Sequence, residues 1–132
     1  MFKKFLILAI LLFSMIGASS AGDIYVDADW RLVTIFKVTD LTDGTTKSKE
    51  VAAGDGHTIT LDDSHNNHLI SFSVTYRGHP HPDSHQILIN DYSGGSVYLY
   101  ARLKYNWHGY YNSYLQWFYG EKTDETDGSI II

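Results

Sequence analysis

The sequence predicts an all-β fold, a small antiparallel β-sandwich of about eight strands, with a closed β-barrel as the alternative. Strand-like runs separated by turn residues recur about every ten to fifteen residues, and no apolar pattern of period 3.6 persists for three helical turns. In the clearest run, residues 69–76, Ile70, Phe72 and Val74 alternate with serine and threonine. This alternation is typical of a strand with one buried face and one solvated face.

The other strands are predicted from apolar or β-branched runs that end at turn residues. In chain order these runs are 24–26 (IYV), 30–38 (WRLVTIFKV), 46–51 (TKSKEV), 57–61 (HTITL), 86–90 (QILIN), 96–105, 110–119 and 129–132 (SIII). The breaks between them include DG at 43–44, GDG at 54–56, DYSGG at 91–95 and NWHG at 106–109. Residues of these types tolerate positive φ or cap their own turns, so successive hairpins are expected.

The first 21 residues are predicted to be a secretory signal peptide that is removed from the mature protein. Two lysines precede an apolar run over residues 5–16, which is too short for a permanent membrane anchor, and small residues suit cleavage before Gly22. The protein is therefore expected to be secreted, with residues 22–132 forming a single β-sandwich domain. Because the chain has no cysteine, its hydrophobic core must stabilise it without disulfides.

The charge balance argues against a nucleic-acid partner. Without the two signal-peptide lysines, the mature chain carries eight basic and fifteen acidic side chains, a formal charge of −7. Phosphate binding requires a concentrated basic surface, which this sequence does not provide. Histidine gains charge on mild acidification, so the seven histidines would cancel this negative charge, and pH-dependent self-association is a further expectation.

Three of the seven histidines alternate in the segment HPHPDSH, residues 79–85. The two prolines hold this segment in an extended conformation, in which side chains on one face lie roughly 6.5 Å apart. Two imidazoles at that spacing can share a zinc or copper ion. The predicted metal ligands are His79, His81 and His85, and a solvated loop is the competing interpretation; no other cofactor is expected.

The region 96–120 contains seven of the ten tyrosines and two of the three tryptophans. On its first strand an apolar row alternates with a row of Tyr98, Tyr100, Arg102 and Lys104. Which rings of the second strand share the outer surface depends on the register of the hairpin. A loop of odd length aligns the two apolar rows, whereas a loop of even length places Trp117 beside Tyr98 and Tyr100.

Aromatic rings flanked by amide and guanidinium donors suit sugars, whose C–H faces stack on the rings while their hydroxyls form hydrogen bonds. We therefore predict a lectin-like, carbohydrate-binding protein. The predicted ligand-binding residues are Tyr98, Tyr100, Arg102, Trp107, Tyr110, Asn112, Tyr114 and Gln116. No carboxylate pair lies in the hairpin and no GxSxG motif occurs, so enzymatic activity is not expected.

The stretch YNWHGYYNSYLQWFYGEK, residues 105–122, resembles the Tyr-Asn-Trp aromatic loop and the following strand of actinoporin-like cytolysins. In that family the region binds phosphocholine headgroups, so the resemblance implies membrane binding as an alternative function. The headgroup contacts that it implies are Tyr105, Trp107, Tyr110 and Tyr111. Two further alternatives are a structural protein of an extracellular matrix or coat, and a metal-binding protein that uses the histidine segment.

Overall fold

The computed structural model describes residues 22–79, 83–126 and 129–131. The strands formed by these residues are β1 (Gly22–Asp27), β2 (Thr34–Asp40), β3 (Thr46–Val51), β4 (Gly56–Leu61), β5 (Ile70–Tyr76), β6 (Ser84–Ile89), β7 (Val97–Tyr105), β8 (Tyr111–Tyr119), β9 (Lys122–Thr126) and β10 (Ser129–Ile131). One 3₁₀ turn, Asp63–His65, lies between β4 and β5. The predicted signal peptide and His81 lie outside the described residues. Within the described ranges no helix is long and apolar enough to cross a bilayer.

The strands form two five-stranded sheets, which confirms the predicted all-β sandwich. The first sheet has the order β4-β1-β7-β8-β9 and the second has the order β10-β6-β5-β2-β3, and the described strands do not close into a barrel. Most neighbouring strands are antiparallel, but β1 runs parallel to β7 and β10 runs parallel to β6. Both parallel pairs join strands that are far apart in the chain, so local residue patterns do not reveal them.

Two differences from the predicted strands are explained by hydrogen bonds. β9 has no apolar alternation that would predict it, and it forms an edge strand because its backbone pairs with β8. Residues 30–33, which are predicted to begin a strand, form a turn instead. The Asp29 carboxylate accepts hydrogen bonds from the backbone N–H of Arg31 at 2.9 Å and from its guanidinium at 2.8 Å, and these bonds hold the turn.

The hydrophobic core lies between the two sheets. From the first sheet it receives Ile24, Val26, Leu99, Leu115 and Trp117, and from the second it receives Phe36, Val38, Phe72, Val74 and Ile87, all of them buried. These residues occupy alternate positions along their strands, as the period of two requires. The opposite positions of the first sheet therefore face away from the core.

The two ends of the sandwich carry different connections. β1 and β7 are parallel, so the loop after β1 and the β7–β8 hairpin turn lie at the same end. β2 starts at that end and finishes at Asp40 at the opposite end. There, residues 62–69 carry the chain from β4 in the first sheet to β5 in the second.

The hydroxyl of Tyr76 connects the two sheets within the core. It accepts a hydrogen bond from the backbone N–H of Arg102 at 3.1 Å and donates one to the backbone carbonyl of Tyr114. Arg102 and Tyr114 are direct partners across β7 and β8, whereas Tyr76 ends β5 of the other sheet. Burial raises the pKa of Tyr76 above its ordinary value. The hydroxyl therefore serves as donor and acceptor between the layers.

Replacing Tyr76 with phenylalanine is expected to lower the free energy of unfolding by about 1–3 kcal/mol, because two buried backbone groups lose their partner. Urea denaturation followed by tryptophan fluorescence measures this change. Tyr92→Phe is the matched control, since Tyr92 is also fully buried but donates only one bond, to the Gly95 carbonyl at 2.7 Å. An equal loss in the two variants would contradict the role of Tyr76 between the sheets.

Candidate functional site

The register of the β7–β8 hairpin is the one that aligns the two apolar rows. Tyr105 pairs with Tyr111 across a five-residue loop, and Leu99 lies directly opposite Trp117. The hairpin therefore has the loop of odd length. Trp117 is buried, with 3% of its surface exposed, and does not join the outer surface. The tyrosines of the other row face outward, because side chains alternate along both strands.

The outer face of the first sheet carries an aromatic cluster, which we call the aromatic face. It consists of Tyr25, Tyr98, Tyr100, Tyr114 and Phe118. Tyr98 is central: its ring stacks on that of Tyr25 with centroids 4.9 Å apart and on that of Tyr100 with centroids 6.5 Å apart. The interplanar angles of 18° and 11° make the three rings nearly parallel. Phe118 meets the Tyr100 ring edge-on at 5.8 Å.

A groove of about 430 Å³ lies beside these tyrosines, along the edge strand β4. Tyr25 stands opposite Thr58 of β4, and Asp27 stands opposite Gly56. Gly56 and Thr58 are small and leave space beside the tyrosine rings. The groove is lined by Tyr25, Val26, Asp27, Gly56, His57, Thr58, Tyr98 and Tyr100. Aromatic walls with a few polar groups are common features of small-molecule sites.

Charged and hydroxyl groups border the aromatic face. The guanidinium of Arg102 pairs with the Asp27 carboxylate at 2.7 Å and lies 5.4 Å from the centre of the Tyr100 ring. The hydroxyl of Tyr25 points to the Asp23 carboxylate at 3.4 Å. The negative charge of Asp23 raises the pKa of Tyr25 above its ordinary value. The face thus combines flat rings with donors and acceptors.

Tyr114 and two further predicted residues continue this surface along β8. Tyr114 is half-buried, and the ammonium of Lys104 lies 4.8 Å from its ring centre. Gln116 is half-buried and is the partner of Tyr100 across the strands. Asn112 is exposed and lies opposite Lys104. Six of the eight predicted ligand-binding residues therefore share one outer surface.

The other two predicted residues, Trp107 and Tyr110, lie at the end of the sandwich, 87% and 64% exposed. They belong to a second cluster, which we call the aromatic tip: Trp30, Tyr105, Trp107, Tyr110 and Tyr111. Trp30 is 74% exposed and comes from the loop after β1. The guanidinium of Arg31 links the two loops, 5.0 Å from the ring centre of Trp30 and 4.6 Å from that of Tyr111.

The hairpin loop at the aromatic tip is held by a single asparagine. The side-chain carbonyl of Asn106 accepts hydrogen bonds from the backbone N–H groups of His108 at 2.9 Å and Tyr110 at 3.1 Å. The backbone of Asn106 also exchanges hydrogen bonds with Gly109 and Tyr110. Gly109 has φ +88°, which other residues rarely adopt. The exposed rings are therefore presented on an ordered loop.

The histidines predicted as metal ligands have separate contacts where they are described. A ring nitrogen of His79 lies 2.8 Å from the backbone carbonyl of Tyr111. His85 is buried, with a ring nitrogen 2.9 Å from the Ser113 hydroxyl. Because His81 lies outside the described residues, metal binding by the three histidines stays a prediction.

A different group of side chains converges at the end of the sandwich opposite the aromatic tip. We call it the His–Asp cluster: Asp40, Asp43, His65 and His68. One oxygen of the Asp40 carboxylate lies 2.7 Å from Nδ1 of His65 and 2.6 Å from Nδ1 of His68. Its other oxygen accepts the backbone N–H groups of Thr42 and Asp43 at 2.8 and 3.1 Å. Burial would raise the pKa of Asp40, but these contacts outweigh it and hold the pKa far below its ordinary value.

Comparison of the chain with family models, curated proteins and solved structures found no match. Function is therefore inferred from the described side chains. Sequence reasoning did not select Tyr25, Asp27 and His57 at the groove, or Trp30 at the aromatic tip. The alternation of Tyr25 with Ile24 and Val26 predicts that its ring faces outward, but its position beside Tyr98 depends on the parallel pairing of β1 with β7.

Proposed function

We propose that this protein is a secreted, non-catalytic binding protein that recognises carbohydrate on its aromatic face. The observation that carries this proposal is the row of nearly parallel rings of Tyr25, Tyr98 and Tyr100 beside an open groove. A pyranose ring presents C–H groups on its faces and hydroxyls around its edge. Tyrosine rings can pack against the C–H groups while nearby polar groups form hydrogen bonds with the hydroxyls.

The polar groups around the groove suit hydroxyl recognition. Asp27 is 40% exposed and Arg102 is 32% exposed, so both can form further hydrogen bonds while they remain paired with each other. His57 and Thr58 on the edge strand are exposed and add groups on the other side. The groove is open to solvent, which favours binding to a chain of sugars over capture of one enclosed molecule.

Replacing Tyr98 with alanine is expected to weaken carbohydrate binding about tenfold. Tyr98 contacts both neighbouring rings, so its removal takes away one stacking surface and loosens the other two, with stacking worth roughly 0.5–1.5 kcal/mol per ring. Affinity is measured on a glycan array and then by co-sedimentation with the insoluble polysaccharide that the wild-type protein binds. Tyr105→Ala is the control, because Tyr105 is 63% exposed but belongs to the aromatic tip. An equal loss in both variants, or wild-type protein that binds no glycan, would refute the proposal.

A second candidate function, binding to zwitterionic membranes, is favoured by the aromatic tip. Five exposed rings, from the loop after β1 and from the β7–β8 hairpin, lie at one end of the sandwich, and tyrosine and tryptophan partition to the headgroup region of a bilayer. Arg31, whose guanidinium contacts the tip rings of Trp30 and Tyr111, is paired with Asp29 at 2.8 Å, so this cation adds little attraction to anionic lipid. Phosphocholine, whose cation can pack against aromatic rings, is the headgroup that this surface suits.

Trp107→Ala is expected to reduce co-sedimentation with phosphatidylcholine vesicles at least fivefold, while Tyr98→Ala leaves it unchanged. Trp107 is the most exposed large ring, and its position at the loop apex puts it first into a membrane. The same two variants therefore separate the candidates when they are tested on glycan and on vesicles. Wild-type protein that binds neither would leave a structural role in an extracellular coat as the better interpretation.

A further inference from the structure

We propose that the His–Asp cluster is a binding site for a divalent transition-metal ion, with zinc as its simplest probe. Its ligands are Asp40 and Asp43 from the end of β2 and the turn after it, and His65 and His68 from the segment between β4 and β5. This site lies at the end of the sandwich opposite the aromatic tip. It is independent of the proposed carbohydrate-binding function.

The chemistry of the four ligands favours such an ion. Imidazole nitrogen suits zinc, copper and nickel, while carboxylate oxygens complete four-coordinate zinc sites. A calcium or magnesium site would instead be built from oxygen atoms. The chain has no cysteine, so thiolate ligands do not compete.

The spacing of the ligand atoms fits one small ion. One ligand atom from each of the four residues lies within 4.8 Å of all the others. Bonds of about 2.0–2.1 Å in a tetrahedral site place ligand atoms roughly 3.3 Å apart. The separations of 2.6 and 2.7 Å from Asp40 to the imidazoles are shorter than this, and that of 3.9 Å from Asp43 to His65 is longer. Small side-chain rotations would therefore bring all four residues to bonding distance.

The surroundings of the cluster provide both space and orientation. A cavity of about 280 Å³ is lined by three of the four ligands, Asp40, Asp43 and His65, and leaves room beside them for an ion and its waters. The second ring nitrogen of His65 faces the Asp62 carboxylate at 3.8 Å. Metal-bound histidines commonly orient their other nitrogen toward a carboxylate, which fixes the tautomer that binds the metal.

The two segments that carry the ligands are held together before any ion binds. The backbone N–H of Leu41 donates to the Leu69 carbonyl at 2.9 Å, and the N–H of Leu69 donates to the Thr42 hydroxyl at 3.1 Å. The backbone of Tyr92 bonds to Asn67 and His68, at 2.7 and 3.0 Å. Since the segment 62–69 joins the two sheets, a bound ion would act as a cross-link in a chain that has no disulfides.

The test is calorimetric titration of the full protein with zinc chloride. Wild-type protein is expected to bind one equivalent with a micromolar or tighter dissociation constant, and saturating zinc is expected to raise Tm by about 10 °C. His68→Gln should weaken binding about 100-fold or more and Asp43→Asn about tenfold. These two ligands are the least buried, with side chains 28% and 36% exposed, so their variants are expected to fold.

The matched control is the double variant His79→Ala, His81→Ala, which removes two of the three histidines of the 79–85 segment and should bind zinc as the wild type does. Histidine side-chain NMR adds a direct readout, because zinc should displace the Nδ1 proton of His65 and His68. Loss of binding in the double variant with retention in His68→Gln would overturn the proposal and place the metal in the 79–85 segment. No zinc binding by the wild type would also overturn it and leave a hydrogen-bonded hub around Asp40. Neither result would affect the carbohydrate experiments, which use variants of the aromatic face and the aromatic tip.

Discussion

Replacing Asp29 with alanine is expected to lower the free energy of unfolding by about 3–5 kcal/mol, the usual cost of breaking a buried ion pair from one side. Asp29 is only 2% exposed, and its two carboxylate oxygens accept three hydrogen bonds from Arg31 and one from the backbone N–H of Leu103 at 3.1 Å. The variant leaves this N–H without its acceptor and leaves the Arg31 guanidinium with the Leu103 carbonyl, at 3.1 Å, in place of a carboxylate. Urea denaturation monitored by circular dichroism measures the loss.

The control for this prediction is another aspartate that pairs with an arginine. Asp27 contacts Arg102 at 2.7 Å, but Asp27 is 40% exposed and water can replace the lost partner. Asp27→Ala is therefore expected to lower the unfolding free energy by less than about 1 kcal/mol. Similar losses in the two variants would mean that burial of Asp29 does not determine its contribution.

The same carboxylate predicts a pH dependence. Burial alone would raise the pKa of Asp29, but the hydrogen bonds from Arg31 and Leu103 outweigh it and hold the pKa below the ordinary value of 3.8. Its contribution to stability is therefore fully present above pH 3.8 and is lost as the pH falls through the lower pKa of the folded protein. The difference in unfolding free energy between wild type and Asp29→Asn should be constant above pH 5 or so and should narrow below pH 3.8. A difference that widens on acidification would contradict this assignment.

Local residue patterns predicted the fold class and most strands because each strand buries alternate side chains. The run at 69–76 and the hairpin at 96–119 are clear cases, in which the apolar row became the inner row. The sequence does not predict β9, because its residues show no apolar alternation. The strand is defined by its backbone pairing with β8 at the edge of the sheet. The prediction of a strand at residues 30–33 is wrong because the Asp29 side chain competes with strand pairing through local hydrogen bonds.

The sites were less predictable than the fold because they depend on contacts between distant parts of the chain. Tyr98 and Tyr100 could be selected from the hairpin alone, but Tyr25 joins them only through a parallel pairing across more than seventy residues. The hairpin register remained open in the sequence because the loop limits were unknown. The Asn106 side chain decides it by accepting two N–H groups across a five-residue loop.

The His–Asp cluster is even harder to predict from the sequence, because its residues come from distant parts of the chain. His65 lies 25 residues from Asp40, and no regular spacing connects the two. By contrast, the alternating histidines at 79–85 have an obvious local pattern, yet the described members His79 and His85 contact β8 at different residues. Regular spacing in the sequence therefore indicates a shared site only if the backbone places the side chains on one face.

The Asp40 carboxylate is expected to be as important for stability as that of Asp29. Asp40→Ala should lower the unfolding free energy by about 3–5 kcal/mol in the presence of a chelator, which removes any contribution from bound metal. The reason is that one carboxylate, 2% exposed, accepts four hydrogen bonds, two from imidazoles and two from backbone N–H groups. Each of these donors would be left in a buried or partly buried site without an acceptor. Urea denaturation in buffered chelator measures the change.

Two further variants, Asp40→Asn and Asp43→Ala, separate the effect of the Asp40 charge from the effect of its hydrogen bonds. Asp40→Asn keeps an oxygen for the backbone N–H groups of Thr42 and Asp43, and its amide can donate to the imidazoles in their other tautomer, so roughly half of the loss is expected. Asp43→Ala, on the exposed part of the same turn, should cost less than about 1 kcal/mol. If Asp40→Asn is as unstable as Asp40→Ala, the negative charge itself is what the two histidines require. If Asp43→Ala is as unstable as Asp40→Ala, the turn conformation, and not the buried carboxylate, is what holds this end of the sandwich together.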